Sequence, residues 1–166
     1  RKEEGIARLR SELKTAVDDM DRWEALRRLY NEYTSYKYDS AYCYALAMGD
    51  LAARLGDPDK VAEATMAKTR CLINAGLYKE AFDAAGTIQA GRLEGRTKLE
   101  YHRIMVRLYY SARGYALTEP YFDQYSKGGE YHSNIILETV PKDSPLWHEY
   151  RANLLMESRS FDERSE

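Results

Sequence analysis

The feature that most restricts this chain is a helix–turn–helix pattern that recurs with a spacing near forty residues. Its clearest copy lies between Asp57 and Ile88. Asp57 is a good N-cap, Pro58 suits the first helical position, and Asp59 sets negative charge beside the N-terminal end of the helix dipole. Val61, Ala64, Cys71, Leu72 and Ala75 then recur at helical spacing, and Ala67 adds another small side chain. Gly76 supplies the left-handed position at which a helix stops. Tyr78, Ala81, Phe82, Ala85 and Ile88 form the apolar stripe of the next helix. So short a connection forces the two helices antiparallel.

The pattern is repeated on both sides. Upstream, Asp19 to Ser35 is amphipathic through Trp23, Leu26, Leu29, Tyr30 and Tyr33. Asp39 is then expected to cap a helix carrying Ala41, Tyr42, Ala45, Met48 and Leu51, which ends at Leu55-Gly56. Tyr38-Asp39-Ser40-Ala41 aligns with Tyr78-Lys79-Glu80-Ala81 at an offset of 40. Downstream, Tyr101, Ile104, Met105, Leu108, Tyr109 and Ala112 share one face, with Val106 and Tyr110 on a second. A helix apolar on two faces belongs inside a stack. Thr118-Glu119-Pro120 opens a helix that runs to Thr139 and stops before Pro141. Gly128-Gly129 within it predicts a kink or local fraying, at about 1 kcal/mol per Gly relative to Ala. Ser144-Pro145 starts a helix with Leu146, Trp147, Tyr150, Leu154 and Leu155, and Phe161-Asp162-Glu163 restarts the pattern. An amphipathic helix with Ile6, Leu9, Leu13 and Val17 precedes everything else.

These elements predict an all-α fold with about seven helices plus a truncated C-terminal stub. Hairpins repeated at a fixed period describe an α-solenoid, in which each hairpin buries its apolar face only by stacking on the next. The expected organisation is an N-terminal helix over 1–17 and a repeat domain over 18–166. Its hairpins lie near 19–56, 57–90 and 96–140, with an incomplete one at 144–166. Ten glycines and four prolines are too few for the frequent turns of a strand-rich fold.

Charge and composition narrow the function. Net charge is −2, with a pI near 6.0, so no global basic field points to nucleic acid. Mean hydropathy is −0.67, and no apolar run approaches a membrane span. Because the chain begins at Arg1 and ends on charged residues, it reads as a fragment of a longer protein, with any targeting or membrane segment outside it. Tyr supplies fifteen residues, six of them between Tyr30 and Tyr44. A Tyr ring gives large apolar contact while its hydroxyl stays wet, which suits the half-buried corners of a thin solenoid. Tyr38 and Tyr78 are therefore expected at equivalent corners.

No reaction chemistry emerges. Gly91-Arg92-Leu93-Glu94-Gly95-Arg96-Thr97 has three residues between its glycines, lacks the phosphate-loop Lys and follows no strand, so it reads as a loop and helix start. Neither a GxSxG nor an SxxK motif is present. Cys43 and Cys71 form no cluster and are expected as small buried side chains. His102, His132 and His148 are far apart in sequence and form no HExxH pair. Capping accounts for the carboxylates of Asp57-Pro58-Asp59 and of Asp18, Asp19 and Asp21. The expectation is a non-catalytic chain with no cofactor and no metal.

The run Ala67-Lys68-Thr69-Arg70-Cys71-Leu72-Ile73-Asn74-Ala75-Gly76-Leu77-Tyr78-Lys79-Glu80-Ala81 resembles a tetratricopeptide repeat (TPR). It has the Gly-x-Tyr-x-x-Ala turn at Gly76, Tyr78 and Ala81, with small Cys71 and large Leu72 in the preceding helix. Gly breaks the first helix, Tyr fills the corner, and Ala lets the second helix close on the first. Other copies are looser: Tyr38 and Ala41 keep the corner without Gly, and Phe161 keeps only the aromatic. The family's Trp and Leu-Gly of the first helix are missing, and the period is about 40 to 43 instead of 34. The resemblance implies a right-handed superhelix of stacked antiparallel hairpins that binds a protein or peptide partner. Its concave groove would lie on the first helix of each hairpin, at Glu63, Met66, Arg70, Ile73 and Asn74, and at His102, Val106, Tyr109 and Tyr110. Arg70 and Asn74, one turn apart, would offer a cation and an amide to a peptide backbone or carboxylate. The Lys/Asn carboxylate clamp of co-chaperone TPR domains is not matched, since Met66 and Arg70 stand where it would be sought.

Asp18 to Ile88 also resembles the TPR sensor region of membrane-anchored bacterial regulators. The resemblance rests on Arg28-Leu29-Tyr30-Asn31-Glu32-Tyr33-Thr34-Ser35-Tyr36-Lys37-Tyr38-Asp39-Ser40-Ala41 and on Leu51-Ala52-Ala53-Arg54-Leu55-Gly56-Asp57. It implies an exported, periplasmic sensing or assembly module of a larger regulatory protein. Such a module has no direct nucleic-acid contact and meets a membrane only through segments outside this chain. The alternative function class is a cytoplasmic scaffold or chaperone-type peptide binder.

Overall fold

The computed structural model describes residues 2–35, 37–116 and 118–165, with side-chain surroundings through position 157. Among these described residues eight α-helices follow one another: α1 (Lys2–Thr15), α2 (Asp19–Thr34), α3 (Tyr38–Leu55), α4 (Pro58–Asn74), α5 (Tyr78–Ala85), α6 (Gly95–Arg113), α7 (Tyr121–Thr139) and α8 (Pro145–Ser165). A 3-10 turn, Ala90–Arg92, precedes α6. Among the described residues there is no strand, and no helix is long and apolar enough to cross a membrane. The all-α hairpin architecture is as expected. One difference lies at the end, where α8 runs unbroken through the Phe161 position instead of restarting there.

Local chemistry sets the helix ends. Asp57 accepts hydrogen bonds from the backbone N–H of Asp59 (3.0 Å) and Lys60 (3.1 Å), and Lys60 Nζ donates to its second oxygen at 2.5 Å. Those bonds, led by Lys60, hold the Asp57 carboxyl below its ordinary pKa. Asp18 caps α2 by accepting from Asp21 N–H at 2.8 Å. α4 ends in a Schellman turn: Leu77 N–H donates to Leu72 O and Gly76 N–H to Ile73 O, with Gly76 at φ +74°. Gly56 ends α3 in the same left-handed region. Asp39, expected as a cap, lies inside the first turn of α3, and Lys37 occupies the N-cap position. The stripe assigned up to Ile88 also leaves the helix early, since α5 ends at Ala85 and two turns follow.

The chain forms two compact units, Arg1–Leu93 and Glu94–Glu166. In the first, each of α1 to α5 packs on its neighbour in sequence. Leu29, Met48 and Leu51 are wholly buried at its centre, with Trp23, Leu26, Tyr30 and Tyr33 around them. Ala41, Ala45, Ala52, Ala64 and Ala67 line the same core, and their small size lets the helices approach closely. Tyr30 donates its hydroxyl to Ala67 O across 3.4 Å, and Tyr33 stacks on Tyr44 with centroids 5.4 Å apart.

The offset-40 alignment is real in three dimensions. Tyr38 and Tyr78 are the first residues of α3 and α5, and Ala41 and Ala81, three residues on, are both wholly buried. Their surroundings differ: Tyr78 is half-buried, whereas Tyr38 is 57% exposed. Val17 and Val61 also stand outside the core they were assigned to, and Cys43 is exposed while Cys71 is buried.

In the second unit α6 packs on α7 and α7 on α8. Val106, Ile136 and Tyr150 form its core, with Leu99, Tyr110, Leu137, Val140 and Leu146 packed around them. Arg113 ties α6 to α8 through two bonds to the Glu157 carboxylate, and its guanidinium lies 4.8 Å from the Tyr110 ring centroid. Gly128-Gly129 does not fray the helix, for α7 is continuous across it. A Cβ on Gly128 would lie 2.4 Å from the Tyr109 ring, and one on Gly129 2.4 Å from the Tyr110 ring. The glycine pair is a seat for two large rings from α6.

Candidate interaction surfaces

In the first unit α4 carries five of the residues to which the TPR resemblance points. Met66 and Ile73 are buried, while Glu63, Arg70 and Asn74 are partly exposed. Positions 63, 70 and 74 differ by seven and four, so these three share one helical face. The face offers a carboxylate, a guanidinium and an amide within three turns. Arg27 of α2 approaches Glu63 at 3.9 Å while also pairing with Glu24 of its own helix at 3.0 Å. With both partners some 40% exposed, the Arg27–Glu63 pair contributes little to stability and leaves both groups open to exchange. Arg70 lowers the pKa of the neighbouring Cys71 thiol, but burial dominates and pushes that thiol up to about 11.

A second surface lies between α1 and α2, where an open cleft of about 550 Å³ has Leu9 on its floor. Lys2, Arg8 and Arg28 stand around it beside Asn31 and Glu32. Glu12 holds both guanidiniums, Arg8 at 3.3 Å and Arg28 at 3.1 Å. Sequence reasoning did not find this cleft. Its one sequence signal is Gly5, whose missing side chain leaves the α1 flank open.

In the second unit the other four residues lie on α6. Val106 and His102 are buried, and Tyr109 and Tyr110 are half-buried against α7. The sequence separates His102 from His132 by thirty residues, but the fold joins them: Nδ1 faces Nδ1 at 2.8 Å, with both residues only 7% exposed. One ring therefore donates its N–H and the other accepts with a lone pair. Aromatic rings surround the pair. Tyr109 stacks on His132 with centroids 5.7 Å apart, and Tyr101 and Tyr131 meet it edge-on at 6.0 and 5.0 Å. Burial, reinforced by the neighbouring His102, pushes the His132 pKa down to about 4; burial and the Lys98 charge lower that of His102. The signal in the sequence was that each histidine interrupts an apolar helical face, which only becomes informative once α6 and α7 are known to pack together.

No group of three or more His, Cys, Asp or Glu side chains suited to a metal occurs among the described residues. Gly91 and Arg92 sit in the 3-10 turn and Gly95 begins α6, so the glycine-containing run forms a connection with Leu93 buried in it. Comparison with curated proteins and with solved structures finds no match. Comparison with protein families matches residues 1–166, the whole chain, to the family described as the SusR N-terminal TPR domain. With its helical hairpins and its Gly76–Tyr78–Ala81 turn, the chain belongs to that family.

Proposed function

We propose that this chain is a non-catalytic protein- or peptide-interaction module that serves as the sensing or assembly domain of a larger regulatory protein. TPR domains in general mediate contacts between proteins, and the family's description places such a domain at the N-terminus of SusR. The observation that carries the reading is the polar face of α4. Glu63, Arg70 and Asn74 reach solvent from a helix whose Met66 and Ile73 are committed to the core. A face of that kind recognises a peptide backbone or carboxylate through directed hydrogen bonds, with the buried residues fixing its position. Binding is then the presentation of a preformed surface, with no covalent step.

The test is affinity capture with the full-length protein, comparing wild type with an Arg70→Ala/Asn74→Ala double variant. Partner recovery should fall by at least about tenfold, the loss of two directed contacts, with the melting temperature nearly unchanged. Unchanged recovery at unchanged stability would remove this face from consideration.

A further inference from the structure

We propose that the His102–His132 pair is a proton-operated clasp between α6 and α7, closed when both rings are neutral and opened by acid.

An Nδ1–Nδ1 separation of 2.8 Å accommodates one hydrogen between the nitrogens. Two imidazolium rings would aim two N–H groups at each other across that distance and must separate. Among the described residues the pair faces tyrosine rings and one cation, with no carboxylate paired to it. From α6 it meets Tyr101, Tyr109 and the Lys98 ammonium, and from α7 it meets Tyr131, with Tyr125 behind Tyr109. Of the charged groups on α8, Glu157 binds Arg113 and Glu149 acts on Tyr150. Among the described residues neither ring is ion-paired to a carboxylate. Protonation therefore brings positive charge into a buried aromatic site already beside a cation.

The same packing turns ring separation into helix separation. His132 is stacked on Tyr109, and the Tyr109 ring occupies the space above Gly128, where even a Cβ would lie 2.4 Å away. His132 and the Tyr109 ring stacked on it thus lie in the seam between α6 and α7. Relief comes from parting the two helices, which also releases Tyr109 and Tyr110 from their glycine seats. Acid thus changes the surface that α6 offers, whether or not the α4 face binds a partner.

The test combines imidazole NMR with amide hydrogen exchange on the 166-residue chain between pH 7 and 5. Histidine carbon labelling gives three resonances, with exposed His148 as the reference. Below pH 6.5, after correction for intrinsic exchange, the opening equilibrium of α6 and α7 amides should rise by up to about a hundredfold per pH unit, the limit for two protons. In a His102→Asn variant, whose amide still bonds to His132, the limit falls to about tenfold. Protection in α2 to α4 should change far less. The proposal is overturned if wild type and His102→Asn share one pH dependence. It is equally overturned if both rings are protonated at pH 5 while α6 and α7 stay as protected as at pH 7, a result that needs no variant.

Discussion

In the α4–α5 hairpin glycine acts at the turn, whereas in the α6–α7 hairpin it acts inside a helix. Gly76 adopts φ +74°, which side-chain-bearing residues resist, and a Cβ there would touch nothing within 4 Å. Gly128 and Gly129 lie within the continuous helix α7, but a Cβ on either would strike an α6 tyrosine ring. The first hairpin needs a conformation and the second needs a space. Both use small residues in their packing, the buried Ala81 and Ala85 of α5 in one case and a glycine pair under two tyrosine rings in the other. Helix-interior glycine is thus a cost only when nothing from another element fills its place.

The largest expected difference between the hairpins is in acid. The folded-state pKa of His132 lies below its ordinary value of 6.5, so its stabilising share is complete above 6.5 and is lost as pH falls toward about 4. That drop corresponds to about 3 kcal/mol for α6–α7. Hydrogen exchange resolved by helix should show α6 and α7 weakening first, and simultaneous loss of α4 and α5 would erase the distinction. Next in size, Gly129→Ala should destabilise by about 2 kcal/mol, because the Tyr110 ring seated on it must yield. Tyr110→Leu should then be less damaging in the Gly129→Ala background than in wild type, a coupling measurable by a urea double-mutant cycle. Gly76→Ala should cost about 1 kcal/mol through backbone strain alone. No change to the α4–α5 rings should rescue it.

Much of this fold was legible because it follows from local rules. The Asp57 cap and the Gly76 stop depend on residues close in sequence, and each stands where it was expected. The fraying expected at Gly128-Gly129 is absent because helix propensity describes a helix in isolation, while two tyrosines from α6 fill the space there. The His pair escaped for the same reason: His102 and His132 acquire a relation only when two helices are brought together. Of the nine residues that the TPR resemblance placed in a groove, Met66, Ile73, His102 and Val106 are buried, because a motif match assigns a residue to a helix and not to the depth at which neighbouring helices cover it. The cleft flanked by Lys2, Arg8 and Arg28 depends on α1 meeting α2, which no short motif encodes.

The most direct test of the two roles for glycine is urea unfolding of Gly129→Ala and Gly49→Ala side by side. Gly49 lies inside α3 with nothing within 4 Å of an added Cβ, so alanine there should stabilise the chain by about 0.5–1 kcal/mol. The same substitution at Gly129 should move stability the opposite way, by about 2 kcal/mol. Opposite signs are the predicted result. Stabilisation by both substitutions would contradict the account, because α7 would then have no need of the empty space beneath Tyr110.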